Sequence, residues 1–220
     1  MSWPSVPDVL LLVVGVGLAS CATAPDLATA DSVDALHGDF TAQLPRYVAE
    51  VAADGPLAHW RLDGPVAGAV VDDPDGATPL TAGRRLDLRG ADFGGPEVAV
   101  ELWVREGRGS MLTYGGAPGA PSLALSVGET LTVDVLGERA DTGIRFAPGD
   151  WTLVGVSWRG ADGLLMVTID GYLAWRGRVA AGRTVPYDGR LSLGGDFQGE
   201  LDEVVVYDRL RFASHGLQRA

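Results

Sequence analysis

The chain has 220 residues, carries a formal net charge of −12, and all 17 of its basic residues are arginines. That length suits one β-sandwich-sized domain with appendages, large enough to bury about 70% of its unfolded surface without disulfide staples. The negative balance argues against nucleic acid, which needs a positive field, and the absence of lysine excludes a Walker phosphate loop and Schiff-base chemistry.

Residues 9–18 (VLLLVVGVGL) are a continuous apolar run, too short for a bilayer span of about 20 residues but the length of a signal-peptide core. The run ends in Leu18-Ala19-Ser20-Cys21, which resembles the bacterial lipoprotein box, whose cysteine is diacylglycerol-modified and becomes the N-terminus after cleavage. Cys21 is the single cysteine, so it has no disulfide partner and no zinc-site companion. Residues 1–8 depart from the export pattern, carrying Asp8 and no basic residue. The resemblance implies a signal peptide over 1–20 and a lipidated tether over 21–44, rich in Ala, Thr and Asp. It implies a protein lipid-anchored in the bacterial cell envelope, and Ala22 after the cysteine favours the outer membrane of a Gram-negative cell.

The folded domain is expected over 45–212, with a tail at 213–220. Leu44, Tyr47, Val48 and Val51 recur at helical spacing, which predicts a short helix over 45–53 packed on the domain edge. Strands follow. In 97–105, Val98, Val100, Leu102 and Val104 share one face, while Ala99, Glu101, Trp103 and Arg105 share the other. Short strands are expected at 110–114, 122–127 and 130–136, then at 151–158 and 164–169. Asp170-Gly171 marks a tight hairpin into 172–176. In the closing stretch 193–210 (LGGDFQGELDEVVVYDRL), a Gly-Gly-Asp turn leads into a strand with Leu201 and Val205 on one face and Asp202, Val204 and Val206 on the other. Many short strands with little helix predict an all-β, antiparallel two-sheet sandwich.

Four stretches carry a family resemblance. Residues 47–63 (YVAEVAADGPLAHWRLD), 97–105 (EVAVELWVR), the region from Asp150-Trp151 to Gly171, and 201–210 resemble strands of the laminin-G-like, concanavalin A-like lectin/glucanase jelly rolls. The departures are His59 for a usual tyrosine and Gly64 for a usual glutamate. The resemblance implies a jelly roll, and the alternation of Ala58, Trp60 and Leu62 puts one face of its first strand on the core. The resemblance also implies a structural calcium ion held by Asp202 with Asp63, Asp72 and Asp73, since calcium takes six to eight oxygens; without the resemblance, the default reading of these residues is solvated loop carboxylates.

Glucanases of this fold carry E-x-D-x-E on one strand. Here Glu200 and Asp202 keep two positions, the third is Val204, and Glu203 is expected on the opposite face, so the two-carboxylate mechanism lacks its acid. Glycoside hydrolysis is therefore a remote alternative and no enzyme is expected. His37, His59 and His215 are isolated, which argues against zinc. Two function classes remain. One is a surface lectin-type module that stacks a glycan on Tyr114, Tyr172 and Trp175. The other is an adhesive lipoprotein that binds an envelope or extracellular protein, with no glycan ligand.

Overall fold

A computed structural model describes residues 40–62, 78–80, 83–88, 93–115 and 121–212. Its elements are α1 (Phe40–Asp54) and twelve strands: β1 (Ala58–Trp60), β2 (Thr78–Leu80), β3 (Arg85–Leu88), β4 (Glu97–Gly115), β5 (Leu123–Val127), β6 (Leu131–Val135), β7 (Glu138–Asp141), β8 (Trp151–Arg159), β9 (Leu164–Ile169), β10 (Tyr172–Arg178), β11 (Arg190–Gly194) and β12 (Gln198–Tyr207). Every strand pairing among the described residues is antiparallel.

One strand belongs to both sheets. The first half of β4 lies between β12 and β8 in a sheet that continues through β9 to β10 and carries β1 and β2 on the far side of β12. Its second half lies between β11 and β5 in a sheet running from β3 to β7. The sequence predicts two strands at 97–105 and 110–114; the chain instead makes one 19-residue strand with a bend between them. Glu106, Gly107 and Gly109 all have positive φ at the bend (51°, 137° and 101°), a conformation glycine adopts without strain.

The two sheets close on one apolar core. Val98, Val100, Leu102 and Val104 of β4 meet Val154, Val156 and Trp158 of β8 and Leu165 and Val167 of β9. The other sheet contributes Leu112, Leu125, Val133 and Leu193. Trp158 donates its indole N–H to the Val179 carbonyl at 3.0 Å, so its one polar atom is satisfied inside the core. Ala58, Trp60 and Leu62 also pack here, as the alternation of that stretch predicts.

The outer face of the first sheet is covered too. Tyr47 and Val51 of α1 pack on Ala99, Trp103, Leu153, Val205 and Tyr207, a second cluster on the side of β4 opposite the core. The expected edge helix therefore lies across the sheet face, and it is longer than expected, beginning before Pro45. The C-terminal segment fastens it: Arg209 donates to the carbonyls of Asp54 and Gly55, and Arg211 pairs with Asp54. With both faces covered, β4 is buried continuously from Val98 to Val104 although its pattern alternates.

The closing strand differs from its expected register. Glu203 has φ 49°, and the pairing with β4 slips between Asp202 and Val205. This bulge changes which residues share a face. Leu201, Val204 and Val206 enter the core, while Val205 and Tyr207 face α1. Leu201 and Val205 thus lie on opposite faces, not the same one. The Gly-Gly-Asp turn is present, with Gly194 and Gly195 at φ 73° and 110°.

Candidate functional site

The carboxylates singled out on β12 come to lie beneath the helix. Asp202 pairs directly with Trp103, a residue of the α1-facing cluster, and its Oδ1 accepts the Glu203 amide N–H at 2.9 Å, which pins the bulge. Glu203 accepts hydrogen bonds from His59 Nε2 and from Arg61 Nε, the latter at 3.2 Å. His59 lies edge-on to Tyr47 of α1, so the bulge brings the Glu203 carboxylate to the α1 side and not to the face opposite Asp202. Burial pushes the Tyr47 hydroxyl well above its ordinary pKa, and the neighbouring Glu101 and Glu203 carboxylates push the same way. Burial likewise raises Tyr207, with Glu101 adding to it. Val204 is a core residue and Glu200 is paired with Arg105, so Glu200 and Asp202 have no third acid at 204 facing an open cleft.

Of the expected calcium ligands, Asp63, Asp72 and Asp73 lie outside the described residues, as does Cys21. Among the described residues no three His, Cys, Asp or Glu side chains gather as a metal site.

The three expected stacking aromatics do not form one platform. Tyr114 is 1% exposed; its hydroxyl has the Phe93 and Pro186 carbonyls as acceptors for its single proton and accepts the Gly189 amide N–H. It is a core residue with its polar tip fully used, because its alternation on β4 turns it inward. Trp175 is half-buried against the core, and Tyr172 is 42% exposed on the same outer strand, β10.

A different depression stands out at the bend of β4. It is a cleft of about 880 Å³, formed by the bend, the β5–β6 turn, the segment before β8 and the start of β12. Its polar lining is Glu106, Arg108, Glu129, Arg145 and Gln198, with Phe146 as its ring. Glu129 and Arg145 form an exposed ion pair at 3.6 Å. Glu106, Arg108 and Gln198 engage in no side-chain hydrogen bond or ion pair among the described residues, so their donors and acceptors face solvent uncommitted.

The bend itself is rigidly built. Asp196 Oδ1 accepts the Ser110 amide at 2.8 Å, tying β4 to the turn before β12. A Cβ on Gly109 would stand 2.5 Å from the Asp196 carbonyl oxygen, and one on Gly199 would stand 2.6 Å from that of Glu106. These close backbone approaches, over the buried Phe197, hold the cleft residues on strand ends instead of on a free loop. The sequence signal for the site was Glu106-Gly107-Arg108-Gly109, two charges alternating with glycines in mid-strand; it reads as a turn, and only the fold brings Gln198 and Arg145 to it.

No family model matches the chain, and no curated protein matches it. Solved structures do. The CBM40 of the Ruminococcus gnavus IT-sialidase, bound to α2,3-sialyllactose, has a TM-score of 0.50 at 10% identity, covering 71% of this chain and 95% of that one. The ligand-binding domain of botulinum neurotoxin serotype D, in complex with N-acetylneuraminic acid, has a TM-score of 0.51 at 11% identity, covering 73% and 50%. The fold is an antiparallel β-sandwich of the jelly-roll kind. A heptameric SAP-like pentraxin from Limulus polyphemus is also similar, at TM-score 0.46 and 17% identity over 54% of this chain. The jelly roll spans 66% of that pentraxin and 33% of a botulinum neurotoxin type C structure.

Proposed function

We propose that the chain is a non-catalytic, lectin-type binding module of the laminin-G-like kind, carried on the bacterial cell envelope by a lipid on Cys21, and that its ligand is a glycan. The observation that carries this reading is the cleft at the β4 bend, whose carboxylate, guanidinium and amide stand free beside an aromatic ring. Sugar recognition needs that combination, because each hydroxyl both donates and accepts while the ring carbons present an apolar face. Two structures of the same fold hold sugar ligands, α2,3-sialyllactose and N-acetylneuraminic acid, which agrees with a glycan at the level of ligand class alone. Against hydrolysis stand the occupied or buried carboxylates of β12.

A scaffold calcium ion shared by Asp202 and the Asp63, Asp72 and Asp73 carboxylates belongs to the same proposal. Its support is topological: the segment carrying the three aspartates is bracketed by β1 and β2, both of which pair with β12. A calcium-dependent rise in Tm that Asp63→Asn abolishes checks it.

The test of the main reading is a glycan array probed with protein lacking residues 1–21. Saturable binding to defined glycans supports it; an empty array beside capture of an envelope protein favours the adhesive alternative. That alternative has its own observation, since Tyr172 and Leu173 are exposed side by side on β10, a strand at the open edge of its sheet. For the anchor, Cys21→Ala is expected to move the protein from the membrane to the soluble fraction of cells. Retention in the membrane would contradict lipidation at that residue.

A further inference from the structure

We infer that the cleft at the β4 bend selects an uncharged sugar and rejects acidic ones, with Glu106, Arg108 and Gln198 as its hydrogen-bonding groups and Phe146 as its apolar wall. This inference rests on the glycan reading and names the ligand class for that site. Its basis is charge. Among the described residues the lining holds two carboxylates, Glu106 and Glu129, and two guanidinium groups, Arg108 and Arg145, whose charges sum to zero. Glu129 and Arg145 already face each other, which leaves one free carboxylate and one free guanidinium, two residues apart on the same strand.

A ligand carboxylate drawn to Arg108 would also be opposed by Glu106, two residues away on the same strand, and by the field of a chain whose net charge is −12. That repulsion supplies specificity against acidic sugars without any added contact. A cationic ligand drawn to Glu106 would be opposed by the neighbouring Arg108. An uncharged polyol meets neither. Its adjacent hydroxyls donate to the Glu106 carboxylate and accept from the Arg108 guanidinium and the Gln198 amide, bonds to charged groups that are stronger than neutral ones.

Backbone geometry fixes the point at which the Glu106 side chain leaves the bend. Glu106 is a non-glycine at φ 51° beside Gly107, a position where a glutamate side chain costs strain that glycine would avoid. Gln198 pairs in register with Arg108, so amide and guanidinium project from neighbouring strands at fixed spacing. Phe146 is half-buried against the core, which holds its ring in place. Gly128 also lines the cleft, and a Cβ there meets nothing within 4 Å, so a side chain can be added at the rim of the cleft without a clash at its Cβ.

The experiment is calorimetric titration of the protein lacking residues 1–21 with neutral gluco-, galacto- and manno-configured oligosaccharides, and with their sialylated and uronate-terminated counterparts. The expected result is binding of a neutral glycan, with its acidic counterpart weaker by about tenfold or more at physiological salt. Arg108→Ala and Glu106→Gln are each expected to weaken it about ten- to hundredfold. Gly128→Trp is expected to abolish binding while the Tm stays within about 2 °C of the parent. Equal or tighter binding of the acidic glycans overturns the uncharged class and leaves the lectin reading standing. Neutral-glycan binding untouched by Arg108→Ala and Gly128→Trp overturns this cleft as the site, again with the lectin reading intact. No binding to any member of the panel overturns both.

Discussion

The helix across the sheet offers a direct test of the packing described above, through Tyr47→Ala. Tyr47 is 1% exposed, with its ring edge-on to Trp103 at a centroid distance of 5.8 Å and to His59 at 6.5 Å. A buried aromatic of this kind removes about 150–250 Å² from water, which at ~25 cal/mol per Å² is about 4–6 kcal/mol. Residual compactness of the unfolded chain trims that by roughly 10–40%, giving about 3–5 kcal/mol, the range seen when buried aromatics become alanine. For a domain of this size, about 4 kcal/mol lowers Tm by roughly 8–16 °C. The assay is differential scanning calorimetry of protein lacking residues 1–20 at neutral pH, with Tyr47→Phe as the control that keeps the ring. The phenylalanine variant is expected to stay within about 1 kcal/mol of the parent. A Tyr47→Ala protein that melts within about 2 °C of the parent would refute the reasoning, because the second apolar cluster could not then depend on α1.

Two further outcomes follow from the same contacts. Gly109→Ala places a Cβ at a backbone angle of +101° and 2.5 Å from the Asp196 carbonyl, so the bend of β4 must open. The expected cost is at least about 2 kcal/mol, read as a lower urea midpoint, together with loss of the cleft. At alkaline pH the buried tyrosines matter: Tyr47 and Tyr207 have raised folded-state pKa values, so their contribution is complete below pH ~10, the unfolded value, and is lost as pH rises toward the folded values. By pH 11 each costs about 1.4 kcal/mol, and a Tyr47→Phe, Tyr207→Phe double variant should lose correspondingly less between pH 8 and 11 in chemical denaturation.

The parts of the fold that were legible in the sequence are those set by local chemistry. The alternation of 97–105 gave both faces of β4 correctly, because period-two spacing determines sidedness wherever a strand is regular. Asp170-Gly171 gave the β9–β10 hairpin, and both residues do take positive φ, at 51° and 88°. Failures came where one residue reset the pattern. A bulge at Glu203 is not visible in LDEVVV, yet it exchanges the faces of everything after it and carries the glutamate to the helix side. Tyr114 was legible as a strand residue but not as a core one, because its three hydrogen-bond partners come from segments 21 to 75 residues away. Glu106 and Arg108 hid in what reads as a glycine-rich turn, and Arg145, Phe146 and Gln198 join them only through the two-sheet closure.

The most direct measurement is an amide chemical-shift titration of isotope-labelled protein lacking residues 1–21 with the best-binding neutral oligosaccharide. The account predicts saturable shifts concentrated at residues 106–109, 128–129, 145–147 and 198–199, the four segments around the β4 bend. Shifts confined to the outer strand β10 or to the face of the β5–β6 sheet, with those four segments silent, would contradict it.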